Sequence, residues 1–411
     1  MKIQSFTACL LIFIFSSCAL FRGAGKKSLS VESNKLAPPA KFITAVPFVQ
    51  FTGGVVVVRA KIDNFPDTLN FILDSGSGGI SLDSMTCVQL GLKPLPSDEF
   101  IRGIGGIRPL YFAGNNTLVL PGLRVDSLNF HISNYDFISS VYGVKIDGII
   151  GYSFLSRYIV QMNYDSMKLY IYTPGHFRYG VGGELLHPFI HNIPVINAPL
   201  WNKKVIHTRY YFDMGAGLCL MLSDRFIKDS CIFCKPDQRR HKFVKSEAQG
   251  LSGKIEMTQT VVQGLKLGKY YFHNVPTYLF DDVSNVTAYP FLGGLIGNDL
   301  LRRFDVTLNY PEDQIYITPN SHYYDPFDYS YTGMAMYYID GHVVITDVTK
   351  DSPADKSGVK PGDVVLAVGN NFSNNIQKYR EQLKATGSKI NMIILREGVV
   401  HDIKMPIKSI L

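Results

Sequence analysis

The chain has 411 residues and a mean hydropathy of +0.06, with 46% apolar and 18% charged residues. This composition indicates a globular protein of two or three domains and excludes wholesale disorder. The net charge of +7 comes without a basic stripe, because the one dense cluster, residues 239–242, lies beside Cys and Pro residues where a solvated loop is favoured. We therefore expect no nucleic-acid partner.

The N-terminal residues predict an export signal. A basic residue is followed by an apolar run over residues 9–15 and by two serines before Cys18, the pattern of a secretory leader. Residues 15–18 also resemble a bacterial lipobox, which implies that Cys18 carries a lipid; ordinary cleavage nearby, with a soluble product, is the alternative. We expect residues 1–18 to be the signal peptide or lipobox and 19–40 a flexible tether. Since no later stretch of about 20 apolar residues follows, membrane contact is expected through a lipid anchor only, in the bacterial cell envelope, facing the periplasm or the surface.

A strand–turn–strand pattern opens the folded region. Residues 48–51 and 55–58 are predicted strands around a Thr-Gly-Gly turn. Farther along, residues 82–90 favour a short helix that ends at Gly91. The Gly-rich residues 101–107 favour a hairpin.

Between these elements, the run FILDSGSGG, residues 71–79, places one carboxylate at the start of a turn of small residues. Residues 71–73 predict a buried strand, because short apolar runs bounded by glycines favour one. Asp74 follows that strand directly, and a buried carboxylate is costly unless it is hydrogen-bonded. Ser75, Gly76 and Ser77 carry the hydroxyl and backbone N–H groups that could bind it.

The pattern occurs twice along the chain. A second run, YFDMGAG, brings Asp213 into the same kind of turn. Each turn is followed by an apolar–apolar–Gly triplet, and the glycines that end the triplets, Gly151 and Gly297, are 146 positions apart. Asn163 and Asn309 keep the same separation of 146 positions, so the register holds through the segment. These matches indicate an internal duplication.

The duplicated motifs resemble those of the aspartic peptidases, most closely the bacterial retropepsin-like kind with two lobes fused in tandem. The resemblance covers residues 42–319. It implies a mainly β fold, a bilobal pair of acid-protease-type β-barrels related by pseudo-two-fold symmetry. Lobe 1 is expected at residues 41–180 and lobe 2 at residues 181–320. Asp74 and Asp213 would then form the catalytic dyad.

The resemblance also implies roles for residues near the dyad. The predicted hairpin would be a flap that closes over the substrate, although an ordinary loop is the alternative, and residues 249–253 hold the equivalent place in lobe 2. The residues expected to form the active-site loops around the two carboxylates are Ser75, Gly76, Ser77, Gly215 and Ala216. The residues expected at the flap tip are Gly103, Ile104, Gly105 and Gly106.

Two positions depart from the family pattern. The residue after each catalytic Asp is usually Thr or Ser, whose hydroxyl bonds to the opposite loop; Ser75 keeps that group, and Met214 cannot supply it. We expect half of this grip to be missing, at a cost of about 1 kcal/mol or more per bond. Ser77 can support its carboxylate and Ala216 cannot, which predicts a raised pKa for the dyad and activity nearer neutral pH than in acid-acting relatives.

Metal and redox chemistry are not expected, and no cofactor is predicted. Cys231 and Cys234 lack a second Cys pair at matching spacing, so a local disulfide or two free thiols is favoured; the pairing of Cys87 and Cys219 stays open. Cys231 and Cys234 lie in an insertion, residues 229–245, that lobe 1 lacks. The histidines at 187 and 191 flank a proline in strand-like surroundings, which removes helical metal-ligand geometry.

After a linker at residues 321–330, residues 331–411 resemble bacterial PDZ domains. The segments SPA at 352–354 and GVKPGD at 358–363 carry this resemblance. It implies a small α+β domain that grips a peptide C-terminus while the peptide adds a strand to the sheet edge. A PDZ domain that merely packs on the lobes is the alternative. The expected carboxylate-binding loop is Gly333, Met334, Ala335 and Met336.

These features predict an envelope aspartic endopeptidase that hydrolyses polypeptides with a water activated by two aspartates. No oligomer is required. A lipid-tethered peptide-binding protein of the same fold, weak or inactive because of Met214, is the rival hypothesis. Residues 76–79 resemble the nucleophile loop of trypsin-like serine peptidases, but that fold needs its histidine upstream and the first one here, His131, lies downstream.

Overall fold

β-Strands dominate the computed structural model, which describes residues 38–411 apart from 64, 105, 235–240, 251–252, 289–290 and 330. The predicted leader, Cys18, the tether up to residue 37 and the flap residue Gly105 lie outside the described residues, as do residues 239 and 240 of the basic cluster and two residues of the lobe 2 flap equivalent. Within the described ranges, no helix is long and apolar enough to cross a membrane.

The first half of the described region contains ten strands and three α-helices. Strands such as β7, β9 and β10 alternate buried apolar residues with more exposed ones, as expected for sheets with one face on a core, whereas β3, β4 and β8 are buried almost throughout. Its elements are β1 (Phe42–Gln50), β2 (Val56–Ile62), β3 (Leu69–Leu73), β4 (Ile80–Asp83), α1 (Ser84–Gln89), β5 (Leu95–Gly103), β6 (Gly106–Leu120), β7 (Leu123–Ser133), α2 (Asp136–Tyr142), β8 (Gly148–Ile150), α3 (Tyr152–Leu155), β9 (Ile159–Asn163) and β10 (Lys168–Tyr172).

The second half follows with a similar series. Its elements are β11 (Glu184–Leu186), β12 (Phe189–Ile190), β13 (Pro194–Trp201), β14 (Val205–Asp213), β15 (Leu220–Ser223), α4 (Asp224–Ser230), β16 (Val244–Gly250), β17 (Gly253–Leu267), β18 (Tyr270–Phe280), β19 (Gly294–Gly297), α5 (Asn298–Leu301), β20 (Phe304–Asn309) and β21 (Gln314–Pro319).

The two halves have the same strand topology. The first half runs β2-β3-β8-β4-β7-β6-β5 and closes through a β2–β6 pairing, while the second runs β13-β14-β19-β15-β18-β17-β16 and closes through β13–β17. In each half the strand before the Asp turn pairs in parallel with the strand that holds the apolar–apolar–Gly triplet, β3 with β8 and β14 with β19. Closure of each sheet on itself gives the β-barrel architecture.

One ladder joins the halves. The strands β11-β21-β20-β9-β10-β1 continue the first sheet, so strands of both halves share one hydrogen-bonded surface. In the antiparallel pairing of β9 with β20, Gln161 faces Thr307, its own counterpart 146 positions farther along. A two-fold axis through this pair would produce that register. The pseudo-two-fold relation itself stays a prediction.

The strand before the first Asp turn forms because its side chains are buried on both faces. Phe71, Ile72 and Leu73 are nearly inaccessible to solvent, as in strands covered by other layers. The helix predicted for residues 82–90 begins later, at Ser84, because Leu82 and Asp83 still belong to β4. Asp83 caps the helix instead, since its carboxylate accepts the Thr86 N–H at 3.0 Å.

The C-terminal part is a five-stranded antiparallel sheet with two helices, the small α+β PDZ domain. Its strands follow the order β22-β23-β24-β25-β26, so β22 is an edge strand. Gly358, in a left-handed conformation, follows the first helix as predicted. The elements are β22 (Met334–Ile339), β23 (His342–Val348), α6 (Pro353–Lys356), β24 (Val364–Val368), α7 (Ile376–Gln382), β25 (Lys389–Arg396) and β26 (Val399–Pro406).

The cysteines adopt one of the two expected arrangements. Cys231 and Cys234 form a local disulfide at the C-terminal end of α4. Cys87 and Cys219 are buried free thiols.

Candidate active site

The structure brings Asp74 and Asp213 together. Their carboxyl groups lie close enough to influence each other's pKa. Each carboxyl group also lies against the glycine of the opposite turn: a Cβ at Gly76 would overlap the Asp213 carboxyl, and a Cβ at Gly215 would overlap that of Asp74. Only glycine therefore fits at these two positions of the turns.

Backbone N–H groups support both carboxylates. Gly76 donates to Asp74 Oδ1 at 2.7 Å, whereas Gly215 and Ala216 both donate to Asp213 Oδ1, at 2.9 and 3.0 Å. The expectation that Ala216 cannot support Asp213 is therefore wrong, because its main chain supplies the donor that its side chain lacks.

Ser77 also departs from its predicted role. Its N–H donates to the main-chain oxygen of Asp74 at 3.4 Å, and its carbonyl accepts from Tyr152 N–H at 3.0 Å. Its hydroxyl binds no protein group within the described part of the chain, so its support of the first turn comes from backbone groups.

Burial raises the pKa of both aspartates. The pKa of Asp74 is raised well above its ordinary value by burial first and then by the neighbouring Asp213. Burial also raises the pKa of Asp213, but the N–H groups of Ala216 and Gly215 and the hydrogen bond from Asp74 oppose that effect. The two carboxyl groups therefore share one proton and titrate as a coupled pair.

One half of the expected grip between the two turns is present. The buried Ser75 hydroxyl, in a residue 1% exposed, donates to Phe212 O at 2.7 Å and accepts from Met214 N–H at 2.9 Å. The Met214 side chain forms no reciprocal bond and instead packs in the apolar core, where it is 1% exposed. The buried Met214 side chain thus contributes apolar packing at the position where a Ser or Thr hydroxyl would form the second bond between the turns.

Tyr310 is a site residue that the sequence analysis missed. Its hydroxyl donates to the Ser75 carbonyl at 3.4 Å, and its ring lies 6.1 Å from that of Tyr152. Burial raises its pKa well above the ordinary tyrosine value, and Asp74 and Asp213 add to the shift, so the hydroxyl stays neutral beside the dyad. The available signal was the Asn-Tyr pair that occurs at the same place in both repeats.

Strands β5 and β6 pair at the predicted flap, and the described residues Gly103 and Ile104 at its tip line the cleft. Gly103 pairs with Gly106 at the turn of β5 and β6. Arg102 Nη1 donates to Ser284 O of the second half at 3.0 Å. Ile104 packs against an apolar cluster of that half, which we call the acceptor cluster: Met221, Met257, Phe280 and Leu295.

A cavity of about 1170 Å³ contains the dyad. The flap hairpin and α2 of the first half form part of its wall. Of the predicted carboxylate-binding loop of the PDZ domain, Gly333 has a left-handed conformation, whereas residues 334–336 belong to strand β22 rather than to a loop. All four residues line the same cavity. Within the described ranges, no group of three or more His, Cys, Asp or Glu residues could hold a metal ion.

Comparisons with known proteins agree with this architecture. Residues 58–154 match the family model of aspartyl proteases, and residues 344–396 match the model of PDZ domains. The chain carries an aspartyl protease domain and a PDZ domain. These matches confirm both predicted resemblances.

One curated relative is a probable periplasmic serine protease do/HhoA-like of Haemophilus influenzae. It is 30% identical over 67 residues, which are 16% of this chain and 14% of that protein. The chain thus spans about a seventh of that relative's length. Together, the matches support a protease that carries a PDZ domain.

Proposed function

We propose that the protein is an aspartic endopeptidase whose catalytic dyad is Asp74 and Asp213. The observation that carries the proposal is the close approach of these carboxyl groups, each packed against the glycine of the opposite turn, Gly76 or Gly215, in the wall of one cavity. Two carboxylates this close cannot both ionise cheaply, so they share one proton. That state provides a general base and a general acid side by side.

The reaction needs one water and no covalent intermediate. The ionised aspartate takes a proton from a water held between Asp74 and Asp213, and the water oxygen attacks the scissile carbonyl carbon. The protonated aspartate donates its proton to the carbonyl oxygen, which yields a neutral tetrahedral diol. The newly protonated aspartate then gives a proton to the amide nitrogen while the other carboxylate takes one from a diol hydroxyl, so the C–N bond breaks, the amine and the acid leave, and the dyad again holds one proton. Ser75 holds the two turns at the required distance.

We place the enzyme outside the cytoplasm and assign polypeptides as its substrates. The leader-like N-terminus, with Cys18 as the lipidated residue, and the periplasmic location in the relative's printed name both favour the bacterial cell envelope. The PDZ loop from Gly333 to Met336 would bind peptide C-termini.

A serine mechanism finds less support in the geometry. His131 lies close to Gly79, next to the loop that contains Ser77. Within the described residues, however, no hydrogen bond joins the Ser77 hydroxyl to His131, and burial lowers the pKa of that histidine. A nucleophilic serine needs a base within hydrogen-bond reach.

The decisive experiment compares full-length protein with Asp74→Asn and Asp213→Asn on a reduced, alkylated protein substrate. We expect pepstatin-sensitive cleavage by the wild type and at least a thousandfold loss in each variant. Asp340→Asn is the matched control, because Asp340 is exposed and has a left-handed backbone that Asn also adopts. If wild type and Asp74→Asn are equally inert from pH 3 to 8, the peptide-binding alternative suggested by Met214 replaces this proposal.

A further inference from the structure

The turn between β1 and β2, residues 52–54, lies against the loop that carries Asp213. Gly53 has a left-handed conformation, and a Cβ at this position would overlap the main chain of Gly217, four residues after Asp213. Only glycine fits there, so the two backbones are in direct contact. The position of this β1–β2 turn therefore bears on the position of the second Asp turn, residues 213–217.

A buried side chain also joins the β1–β2 turn to the second Asp turn. Asn298 Nδ2 donates to Gly54 O at 2.5 Å, and the Asn298 N–H donates to Ala216 O at 2.6 Å. Asn298 is inaccessible to solvent, so both bonds are shielded from competition with water. One residue thus couples the two turns from the side of α5.

On its other side, the PDZ domain holds the β1–β2 turn. Gln377 Oε1 accepts from the Thr52 N–H at 2.9 Å and from the Thr52 hydroxyl at 2.8 Å. Its Nε2 donates to Tyr142 O at 3.0 Å, and the Tyr142 ring stacks on that of Phe51 at 5.2 Å. A single side chain of α7 therefore fixes the β1–β2 turn and the end of α2 together.

The counterpart of this turn in the second half is placed differently. Residues 191–193 connect β12 with β13, and the Asn192 side chain lies 3.7 Å from where a Cβ at Gly78 of the first Asp turn would stand. Asn192 is exposed, whereas Gly53 and Gly54 are buried. Burial and the PDZ contact thus distinguish the turn beside Asp213 from the one beside the first Asp turn.

We propose that Gln377 of the PDZ domain is a positioning residue for the dyad. Its bonds to Thr52 hold the β1–β2 turn against Gly217, and this contact fixes the separation of the two aspartates. The inference rests on the proposed peptidase function and deepens it. Gln377 acts through Thr52 and Gly53, and a displacement of reacting groups by about 1 Å can lower a rate about a hundredfold.

The effect should fall on kcat and on the pH profile. The geometry of the aspartates acts on the chemical step, whereas contacts made equally in the ground and transition states act on KM. The interaction of two coupled carboxyl groups also sets the separation between their apparent pKa values. A second Asp turn that is held less firmly should therefore bring the two limbs of the profile closer together.

The test compares full-length variants on a reduced, alkylated protein substrate. Gln377→Ala loses both bonds to Thr52 and should lower kcat about tenfold at unchanged KM. Thr52→Val loses only the hydroxyl bond and should lower kcat about threefold, while Thr52→Ser keeps the hydroxyl and should match the wild type. Lys378→Ala, on the exposed face of α7, is the matched control. Because Gln377, Thr52 and their replacements are uncharged, a shift of the limbs reports geometry rather than a new charge.

A double-mutant cycle identifies the route of the effect. If Gln377 acts through Thr52, the double variant Gln377→Ala/Thr52→Val should lose about tenfold in kcat, like Gln377→Ala alone, rather than the product of about thirtyfold. Thr52→Val leaves the bonds of Gln377 to Tyr142 O and of Arg380 to Val141 O in place. Its effect on kcat therefore does not arise from release of the PDZ domain.

The outcomes separate this inference from the peptidase proposal. Unchanged kcat in both single variants, a change confined to KM, or losses that multiply in the double variant overturn the positioning role and leave the peptidase proposal standing. If Gln377→Ala does not fold, the Thr52 pair decides: a loss in Thr52→Val that Thr52→Ser restores supports the role, and equal kcat overturns it. Failure of the wild type to cleave any polypeptide overturns both.

Discussion

At the scale of single residues, main-chain N–H groups support both aspartates. Asp213 Oδ1 receives two from its own turn, and Asp74 Oδ1 receives one from its own turn while the Gly215 N–H of the opposite turn also lowers the pKa of Asp74. A carboxylate that accepts more hydrogen bonds holds its charge more readily. The residue types at these positions could not reveal this, because Ala216 has no polar side chain and acts through its main chain.

The first prediction concerns the pH dependence of kcat/KM. The productive state of the proposed dyad has one aspartate ionised and the other protonated, and the pKa of each is raised by burial. The apparent pKa of the acid limb should therefore lie above the ordinary carboxylate pKa, and the apparent pKa of the alkaline limb should lie higher still. We expect a bell-shaped profile that extends toward neutral pH. A profile confined below about pH 4, near the ordinary value for aspartate, would contradict this assignment.

The second prediction concerns stability. Because the pKa of Asp74 is raised in the folded protein, its proton stabilises the fold below the unfolded value of about 3.9, and that stabilisation is lost as pH rises through the folded pKa. Asp74→Asn removes the ionisable group. We therefore expect the inactive variant to have a higher Tm than wild type at pH 7, with the difference disappearing below about pH 4.

Thermal unfolding at several pH values measures this effect, and the exposed Asp340→Asn variant should show no such pH-dependent gain. A Tm of Asp74→Asn below that of wild type at pH 7 would show that Asp74 is favourably ionised in the fold.

At the scale of elements, the flap hairpin connects the two halves above the dyad. Arg102 and Ile104 reach from its tip to Ser284 and to the acceptor cluster. If the hairpin is the flap of the proposed peptidase, substrate entry separates these contacts, and the strength of the anchor sets how readily the cleft opens.

The third prediction tests that anchor by hydrogen exchange of the hairpin amides. Ile104→Ala removes apolar contacts with the acceptor cluster worth about 1 kcal/mol, which should accelerate exchange about fivefold. Ile107→Ala is the control, because Ile107 is 52% exposed on the other arm of the same hairpin. Equal acceleration in both variants would mean that general loosening of the hairpin, rather than the anchor, controls opening.

The repeat made the strand and turn at each aspartate predictable. The strand that ends at Leu73 and its counterpart before Asp213 are both present, because a buried apolar run and a glycine turn impose the same local structure twice. The start of α1 was not predictable from composition, since Leu82 and Asp83 fit a helix start as well as a strand end. In the structure, Leu82 and Asp83 remain in β4 because this strand pairs with β7 and β8.

At the scale of the whole molecule, the docking of the PDZ domain depends on contacts that no local pattern encodes. Gln377 of α7 accepts from the N–H and hydroxyl of Thr52, 325 positions away. The adjoining Gly53, in a left-handed conformation, lies against Gly217 of the second Asp turn with no room for a Cβ. One short turn thus touches the PDZ domain and a loop of the candidate site.

This arrangement leads to the fourth prediction, that the described region unfolds as one cooperative unit. Residues 38–411 form a single compact unit, and Gln377 and Arg380 bind the PDZ domain to Tyr142 and Val141 of α2. Wild-type protein should show one calorimetric transition whose measured enthalpy equals the van't Hoff value. The double variant Gln377→Ala/Arg380→Ala loses these bonds, each worth about 1 kcal/mol or more, and should show a separate, earlier PDZ transition.

Lys378→Ala provides the control, because Lys378 lies on the exposed face of the same helix and should leave the single transition intact. Two transitions in the wild type would mean that the interface is too weak to couple the domains, as is common where domains meet through small, polar surfaces. A single transition in wild type that splits only in the double variant would identify α7 as the element that makes the PDZ domain and the peptidase body one folding unit, because Lys378 shares the helix with Gln377 and Arg380 but not their bonds to α2.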